Sequence, residues 1–502
     1  MKNRNRSIFA LALLLVLVAS STISWAAEPR YRVIDLGSPG SPQFYTDFSG
    51  LQSWLLNNDG TVVGGMGTVY PDPFGWQDDG FTSHAFEWKN GSLTDLGATA
   101  FNNPTNFSQG FWINDLGHSV GIATYNASNV AAVPLFKAVL WKDRQMIDLG
   151  TLGGEQSFAQ AINIRDQTVG WALNLVPASV NIWADYPWPF ATQQRAVLWE
   201  SGVGRDLGTL GGPSAWATGI NDNGQIIGQS LNTISAGQPK QVEGWSWSRP
   251  VTGFLWENGH MVDLGNLGGT FALPTRINNR GQVIGLMTSA GDTSSHPFLW
   301  ENGSLKDLGT LGGSSGRANA INESGEVVGG ARLANGLNRA FLWKDGVMTN
   351  LGTLGTGSQA WGINSKSQIV GTSGTTHPNL RAFLWENGGP MLDLNQLIPA
   401  GSPVVAVAYA INNRGEILCN GPNEQGLFLL LPTLPVLNMA WVGNNVVLSW
   451  PTNHTGYTLE AKTDMSPLSN WTSIPGTPTI LADQFTVTNS AASGNQFFRL
   501  RR

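Results

Sequence analysis

The sequence predicts an all-β protein, and two observations predict it. Charged residues make up only 12% of the chain, whereas it contains 62 glycines, a composition typical of short strands joined by tight turns. Long amphipathic helices need more charge on their solvent faces than this chain offers. In addition, a pattern of about 40–60 residues recurs along most of the sequence. Each copy alternates short apolar runs with turn residues, which indicates β-strands.

Three elements recur in fixed order within this pattern. The clearest copy has Leu-Gly-Thr-Leu-Gly-Gly at 308–313, an Ala-Ile-Asn run and a Val-Val-Gly run within 320–329, and Arg-Ala-Phe-Leu-Trp at 339–343. The Asp-Leu-Gly element starts at Asp35, Asp95, Asp148, Asp206, Asp263 and Asp307, and in weaker form at Asn350 and Asp393. The Asn element falls at Asn57, Asn114, Asn163, Asn221, Asn278, Asn322, Asn364 and Asn412. The aromatic run ends in Trp88, Trp141, Trp199, Trp256, Trp300, Trp343 and Trp385.

Each copy predicts four antiparallel strands, which we call A to D. Strand A ends at the Asn, strand B is the Val-Val-Gly run, strand C carries the Trp, and strand D ends at the Asp. The Asn-x-x-Gly segment between A and B predicts a tight hairpin with a residue of positive φ at the Gly. Two copies place Asp166 and Ser367 there, and of these Ser suits that backbone less well.

Four-stranded units of this length are the blades of a β-propeller. The N-terminal run at 31–36 is an isolated D strand, and the eighth copy lacks one. Pairing the two would close a ring, so we predict an eight-bladed propeller over residues 27–431. Seven blades are the main alternative, and an open solenoid is the third.

The repeat resembles the HAF repeat, a family of predicted extracellular bacterial proteins named for a His-Ala-Phe start to strand C. This chain has His-Ala-Phe at 84–86, and related versions at 296–298, 339–341 and 381–383. The resemblance covers the repeat region and implies an exported protein. It implies no activity and no catalytic residue.

The two ends of the chain differ from the repeats. Lys2, Arg4 and Arg6 precede an apolar run, and small residues lead up to Ala26, which predicts a signal peptide at 1–26 and export to the medium or cell surface. An uncleaved membrane anchor is the alternative, but the run is short for a span. Residues 432–502 carry a different strand pattern and resemble a small immunoglobulin-like or fibronectin-like β-sandwich.

Charge and side-chain chemistry argue against several functions. The net charge of −6 without basic clusters argues against nucleic-acid or anionic-lipid partners. The six His have no metal-ligand spacing, and we expect no metal or cofactor. The single Cys, Cys419, excludes an intrachain disulfide. The repeated Asp residues could line a cation ring, but a structural hydrogen-bond role is favoured. We expect no catalysis, and a monomer.

The B–C loops carry the most distinctive side chains. They are long in the first four repeats and should all lie at one end of the ring. The predicted ligand-binding residues in these loops are Tyr70, Trp76, Trp183, Tyr186, Trp188, Trp245 and Trp247. Exposed aromatic residues suit stacking on sugars or an aromatic patch for a protein, whereas the alternative is that the loops pack together as a lid.

Two other functions stay open at this stage. One is an extracellular polysaccharide hydrolase or lyase that uses Asp78, Asp79 or Asp185. The other is a purely structural surface protein without a ligand.

Overall fold

The computed structural model describes most of the chain between residues 29 and 501. The described residues are 29–37, 44–45, 54–72, 80–97, 105–125, 135–178, 191–232, 240–242, 245–247, 250–374, 379–443, 445–452, 457–464, 466, 470–481, 484–490 and 496–501. The predicted signal peptide lies outside them. The chain divides into two compact units, one comprising Tyr31–Pro432 and the other Thr433–Arg502 together with the N-terminal residues up to Arg30.

The larger unit consists of antiparallel sheets, nearly all of four strands. The strands of the first four repeats are β2 (Phe44–Tyr45), β3 (Val62–Pro71), β4 (Phe81–Lys89), β5 (Ser92–Asp95); β6 (Ser108–Ile113), β7 (Ser119–Thr124), β8 (Phe136–Lys142), β9 (Gln145–Asp148); β10 (Ser157–Ile162), β11 (Thr168–Pro177), β12 (Thr192–Glu200), β13 (Val203–Asp206); β14 (Gly211–Ile220), β15 (Ile226–Asn232), β18 (Thr252–Glu257) and β19 (His260–Asp263). A separate hairpin, β16 (Lys240–Val242) and β17 (Trp245–Trp247), is inserted between β15 and β18.

The later repeats follow the same order. Their strands are β20 (Gly268–Ile277), β21 (Val283–Ser289), β22 (Ser295–Glu301), β23 (Ser304–Asp307); β24 (Gly312–Ile321), β25 (Val327–Leu333), β26 (Asn338–Lys344), β27 (Val347–Asn350); β28 (Ser358–Ile363), β29 (Ile369–Ser373), β30 (Arg381–Trp385), β31 (Leu392–Asp393); and β32 (Val407–Ile411), β33 (Ile417–Asn420), β34 (Leu427–Pro432). One parallel pair, Ser295 with Ser315, joins β22 to β24. Short 3-10 helices span Ala290–Asp292, Leu394–Gln396 and Pro422–Glu424.

The N-terminal strand β1 (Tyr31–Asp35) completes the last sheet. It pairs antiparallel with β34, from Tyr31 opposite Pro432 to Asp35 opposite Phe428. The last sheet also packs on the first, because Leu418, Leu427 and Leu429 share one apolar cluster with Val62 and Phe86. The repeat array therefore returns to its starting point, and its sheets form a closed β-propeller.

The Trp that ends strand C fills space between neighbouring sheets. Trp141 and Trp199 are almost fully buried. Residues of the preceding D strand cover others: the Arg205 guanidinium lies 5.2 Å from the centre of the Trp256 ring, and the Lys306 ammonium lies 4.7 Å from that of Trp343. Each such Trp thus links two consecutive sheets.

The described residues of the smaller unit form two sheets. One contains β35 (Asn438–Val442), β36 (Asn445–Pro451), β40 (Gln484–Ser490) and β39 (Thr479–Leu481), and the other contains β38 (Thr472–Ser473), β37 (Thr458–Lys462) and β41 (Phe497–Arg501). Its core is built on Val446, Leu448, Trp450 and Leu459. The described residues of the whole chain include no helix with the length and apolar character needed to cross a membrane.

Candidate functional site

The A–B turns lie at one end of the propeller and share one backbone conformation. In each turn the N–H of the Asn donates to the carbonyl of the fifth residue, and the N–H of the fourth residue donates to the Asn carbonyl. The fourth residue has positive φ, between 78° and 88° at the six glycines. Asp166 and Ser367 adopt the same conformation at φ 59° and 57°, so the turn forms at Ser367 as well.

The Asn that opens each turn has two structural roles. Its Oδ1 accepts the backbone N–H of the third and fifth turn residues, as Asn278 does from Arg280 and Gln282. Its Nδ2 donates to the carbonyl of the Asn in the next repeat. These donor bonds run from Asn57 to Asn114 (3.0 Å), Asn114 to Asn163 (2.8 Å), Asn163 to Asn221 (3.0 Å), Asn221 to Asn278 (2.9 Å), Asn278 to Asn322 (3.0 Å), Asn322 to Asn364 (3.2 Å), Asn364 to Asn412 (3.0 Å) and Asn412 to Asn57 (3.0 Å).

These eight bonds form a closed ring, and every member is at least 95% buried. The position needs an acceptor for its own turn and a donor for its neighbour. An amide side chain supplies both, whereas an ionised carboxylate has no donor, which explains why Asp never replaces this Asn in the eight copies. We call this set the asparagine ring.

The fifth turn residue and the residue after the strand-C Trp change together along the chain. Where the fifth residue is Gln, the other is Glu, and the two side chains are hydrogen bonded. These pairs are Gln167 with Glu200, Gln225 with Glu257, Gln282 with Glu301, and Gln368 with Glu386. In the sixth repeat the fifth turn residue is Glu326, and the residue after the strand-C Trp is Lys344. The Lys344 Nζ lies 2.8 Å from Glu326 Oε1.

Glu326 is buried. Its carboxylate is hydrogen bonded to the side chains of Lys344, Ser367 and Asn322. Burial alone would raise its pKa, but hydrogen bonds from Lys344, Ser367 and Asn322 and the charge of Lys344 outweigh burial and hold the pKa below its usual range. The carboxylate therefore stays ionised and ties the sixth repeat to Ser367 of the seventh.

The fourth turn residue also contacts the preceding repeat. A Cβ added at Gly281 would lie 3.0 Å from the Gln225 side chain, and one at Gly325 would lie 3.1 Å from that of Gln282. At the same position in the third repeat, the side chain of Asp166 contacts the preceding repeat directly. Its carboxylate oxygens lie 2.6 Å from His118 Nδ1 and 2.8 Å from Lys142 Nζ. Burial alone would raise the pKa of the Asp166 carboxyl. The hydrogen bonds with His118 and Lys142 lower the pKa by more than burial raises it, so the pKa lies below its usual range.

The repeated Asp of the Asp-Leu-Gly element is held within its own sheet. One carboxylate oxygen accepts the N–H two residues on, as at Asp307 and Gly309 (2.7 Å). In four copies the other oxygen binds a His or Arg side chain of strand C. These pairs are His84 with Asp95, Arg195 with Asp206, His296 with Asp307, and Arg381 with Asp393. The Asp thus has a structural role, and it explains the His or Arg in strand C.

A cavity of about 230 Å³ lies on the propeller axis at the A–B end. Residues from all eight repeats line it. Its most distinctive side chains are Trp54, Trp112 and Arg276, all partly buried. The Trp54 and Trp112 rings stack with centres 5.9 Å apart, and the Arg276 guanidinium lies 5.0 Å from the centre of the Trp112 ring. We call this cavity the axial cup.

The second residue of each turn forms the rim of the axial cup. These residues are Asn58, Asp115, Ile164, Asp222, Asn279, Glu323, Ser365 and Asn413. Six of these side chains, those of Asn58, Asp115, Asp222, Asn279, Glu323 and Asn413, accept a backbone N–H from the preceding repeat, for example Asp115 from Asn58 (2.9 Å) and Asn413 from Ser365 (2.9 Å). The rim therefore adds a second set of polar contacts between repeats.

The B–C loops lie at the opposite end, because A–B and B–C connections alternate in an antiparallel sheet. Of the aromatic residues predicted to bind ligand, Trp76, Trp183, Tyr186 and Trp188 lie outside the described residues, as do Asp78, Asp79 and Asp185. Tyr70 is 39% exposed, near the end of β3. Trp245 and Trp247 lie in β17, paired with β16. The aromatic loop site stays a prediction.

The described part of this end has an apolar surface. Strands β3 and β11 have ten residues each, against seven for β21 and β25. Their ends carry exposed apolar side chains: Val69, Tyr70, Leu175 and Val176, with Phe81 on β4. The C-terminal ends of β3 and β11 therefore extend beyond the level at which β21 and β25 end.

Reactive and metal-binding groups are scarce in the part of the chain that the structure describes. No group of three or more His, Cys, Asp or Glu side chains there could hold a metal ion. Cys419 is fully buried, and desolvation raises the pKa of its thiol far above the usual range. A thiol in this state is a poor nucleophile.

Comparison with known proteins assigns no family to the chain. No family model and no curated protein matches it. Solved structures with partial similarity include dipeptidyl peptidase 4 of Porphyromonas gingivalis (TM-score 0.41, 7% identity, covering 85% of this chain and 65% of that chain). Acylaminoacyl peptidase of Pyrococcus horikoshii has a TM-score of 0.36 at 9% identity (82% and 59%), and TolB of Acinetobacter baumannii has 0.28 at 11% identity (74% and 80%). The chain spans less than two thirds of the two peptidases, and no argument about its function rests on these scores.

The residues of the axial cup differ from those predicted to bind a ligand. The residue two positions before the Asn is Ala or Gly in five repeats, but Trp112 and Arg276 occupy it in the second and fifth. That break in a repeating pattern is the sequence signal for the cup, whereas the predicted ligand-binding aromatic residues all lie in the long loops.

Proposed function

We propose that this chain is a secreted or cell-surface binding protein, an eight-bladed propeller of HAF-type repeats. It recognises a carbohydrate or protein ligand through the B–C end and carries out no catalysis. The predicted signal peptide supplies export.

The contrast between the two propeller ends supports the binding role. The A–B turns repeat one conformation and one set of bonds, which suits a structural end. The B–C end differs from repeat to repeat and exposes Tyr70, Phe81, Leu175 and Val176. Tyr70 and Phe81 belong to the first repeat, and Leu175 and Val176 belong to the third. Contiguous exposed apolar patches are typical of interaction sites. This apolar end is the observation on which the proposal depends.

The asparagine ring supports the blade count of eight. Each Asn belongs to one repeat and bonds to the next, and the eighth bonds to the first at 3.0 Å. A seven-bladed ring would leave one repeat outside this circuit.

Binding to a glycan panel and to secreted proteins tests the role. We expect the mature protein to retain a ligand, and the triple variant Tyr70→Ala, Trp245→Ala and Trp247→Ala to lose at least about tenfold in affinity, because each removes an aromatic contact. Trp441→Ala is the matched control, since Trp441 is 67% exposed on the smaller unit.

Two results would contradict the proposal. Capture of no ligand by the wild type would favour a purely structural protein. Equal affinity of the triple variant would move the site away from this end. Loss of thermal stability with unchanged binding in Trp183→Ala and Trp188→Ala would instead identify these loops as a lid.

A further inference from the structure

We propose that the axial cup is a second binding site, specific for a neutral sugar unit. It lies at the A–B end and is therefore separate from the ligand site proposed for the B–C end. Its residues, its chemistry and its test are independent of that site.

The size of the cup sets the size of its ligand. Its volume of about 230 Å³ is below the range of pockets that enclose drug-sized molecules, about 300–1,000 Å³. A single sugar unit, free or at the end of a chain, is of suitable size. The small residues at the axis help to create this space, since Ala161, Gly219, Ala320, Gly362 and Ala410 occupy the position that holds Trp112 and Arg276 elsewhere.

The aromatic stack provides one wall for the ligand. Trp54 of the first repeat lies outside the named strands and forms a parallel β-bridge with Trp112 of the second repeat. The two indole rings stack on each other. Arg276 reaches Trp112 from the fifth repeat, so the contact crosses the axis. A half-buried indole face packs well on the C–H groups of a sugar ring, which are weakly polar.

The rim provides polar partners for hydroxyl groups. Asn58, Asn279 and Asn413 carry amides, Ser365 carries a hydroxyl, and Asp115, Asp222 and Glu323 carry carboxylates. Planar side chains with both donors and acceptors match a ligand whose hydroxyls also do both. Their conformations are fixed in advance by the bonds between repeats, such as those of Asp115 to Asn58 and of Asp222 to Ile164.

The charges disfavour an anionic ligand. The three carboxylates of the lining, Asp115, Asp222 and Glu323, outnumber its one guanidinium, that of Arg276, and repel an anion. A neutral polyhydroxyl compound does not meet this repulsion. Among small polyhydroxyl ligands with one apolar face, a neutral sugar therefore fits this lining better than a sugar acid.

Titration with sugars tests the site. Neutral hexoses, pentoses and their disaccharides are titrated into the full mature protein by calorimetry and ligand-observed NMR, with glucuronic acid as the anionic counterpart. We expect a neutral sugar to bind and glucuronic acid to bind at least about tenfold more weakly. We expect Trp54→Ala to weaken the neutral sugar by about tenfold or more.

A matched variant separates binding from folding. Trp361 occupies in the seventh repeat the place of Trp54 in the first, three residues before the Asn, but does not line the cup. Trp361→Ala should therefore leave sugar affinity unchanged.

Ser365→Trp tests the same site if Trp54→Ala fails to fold. It adds a bulky group at an exposed rim position and removes no buried group, so the variant should fold. We expect it to abolish sugar binding.

Three outcomes would overturn the proposal. They are that no neutral sugar binds the wild type, that Trp54→Ala or a folded Ser365→Trp binds as the wild type does, or that glucuronic acid binds equally well. The B–C triple variant distinguishes the two sites: it should keep the affinity of the axial cup, and a sugar signal lost in that variant belongs to the other end.

Discussion

The two ends of the propeller follow opposite rules. At the A–B end, eight turns share their length, their hydrogen bonds and their opening Asn. At the B–C end, the strands differ in length and an extra hairpin is inserted in the fourth repeat. The difference teaches that the A–B end repeats one set of contacts between neighbouring repeats, whereas the B–C end does not share one strand length. The other end is then free to vary without opening the ring.

The asparagine ring provides the largest test of this contrast. Asn278→Asp keeps the acceptor oxygen but replaces the donor with a charged oxygen, which faces the Gln282 side chain (2.7 Å) and the Asn322 carbonyl (3.0 Å). A buried, unsatisfied charge should reduce the free energy of unfolding by about 3 kcal/mol or more. Denaturant unfolding followed by Trp fluorescence measures this loss.

An exposed Asn is the control for that substitution. Asn335 accepts the Leu337 N–H and is exposed, so Asn335→Asp should change stability by less than about 0.5 kcal/mol. The Asn278→Asp defect should also shrink in acid, because a protonated carboxyl can donate again. Equal stability of the two variants would mean that the ring does not hold the propeller together.

The paired positions behind the ring provide a test of intermediate size. Lys344→Glu alone sets a second carboxylate against buried Glu326, whereas the double variant with Glu326→Gln recreates the Gln282–Glu301 pair (3.0 Å). We expect the double variant to recover stability, with a coupling energy of about 1 kcal/mol in a double-mutant cycle.

The pH dependence of that coupling has a defined sign. The pKa of Glu326 is held below its usual range in the folded protein, so its contribution is present above the ordinary Glu pKa and is lost as the pH falls through the lower folded value. The coupling from the cycle should therefore decrease as the pH falls below the ordinary Glu pKa. A coupling that persists there would show that the charge of Glu326 is not its source.

Local sequence patterns predicted much of the fold. Turn chemistry and alternating apolar runs predicted the four-stranded antiparallel sheets, and the Asn-x-x-Gly segments predicted turns with positive φ, as at Gly281 (78°). Such features are encoded within a few residues of chain. They do not require knowledge of which repeats become neighbours.

Contacts between repeats were harder to predict for the same reason. The partner of the Asn278 amide is a carbonyl 44 residues away, and nothing in the local pattern distinguishes this donor bond from turn formation. Trp112 and Arg276 likewise meet only because the ring is closed. The predicted aromatic loop site depends on loop conformations, which repeat periodicity does not determine.

The smallest expected effect comes from the B–C end and completes the contrast. Leu173 and Leu175 lie two residues apart on β11, but Leu173 is 4% exposed and Leu175 is 76% exposed. Leu175→Ser should change the free energy of unfolding by less than about 0.5 kcal/mol, whereas Leu173→Ser should cost about 3 kcal/mol because it leaves a cavity and buries a hydroxyl. Denaturant unfolding of both variants measures this difference, and ligand capture should be weaker for Leu175→Ser alone at unchanged stability. If Leu175→Ser destabilised the protein as much as Leu173→Ser, the C-terminal end of β11 would be part of the core. The division between a structural and a variable end of the propeller would then be wrong.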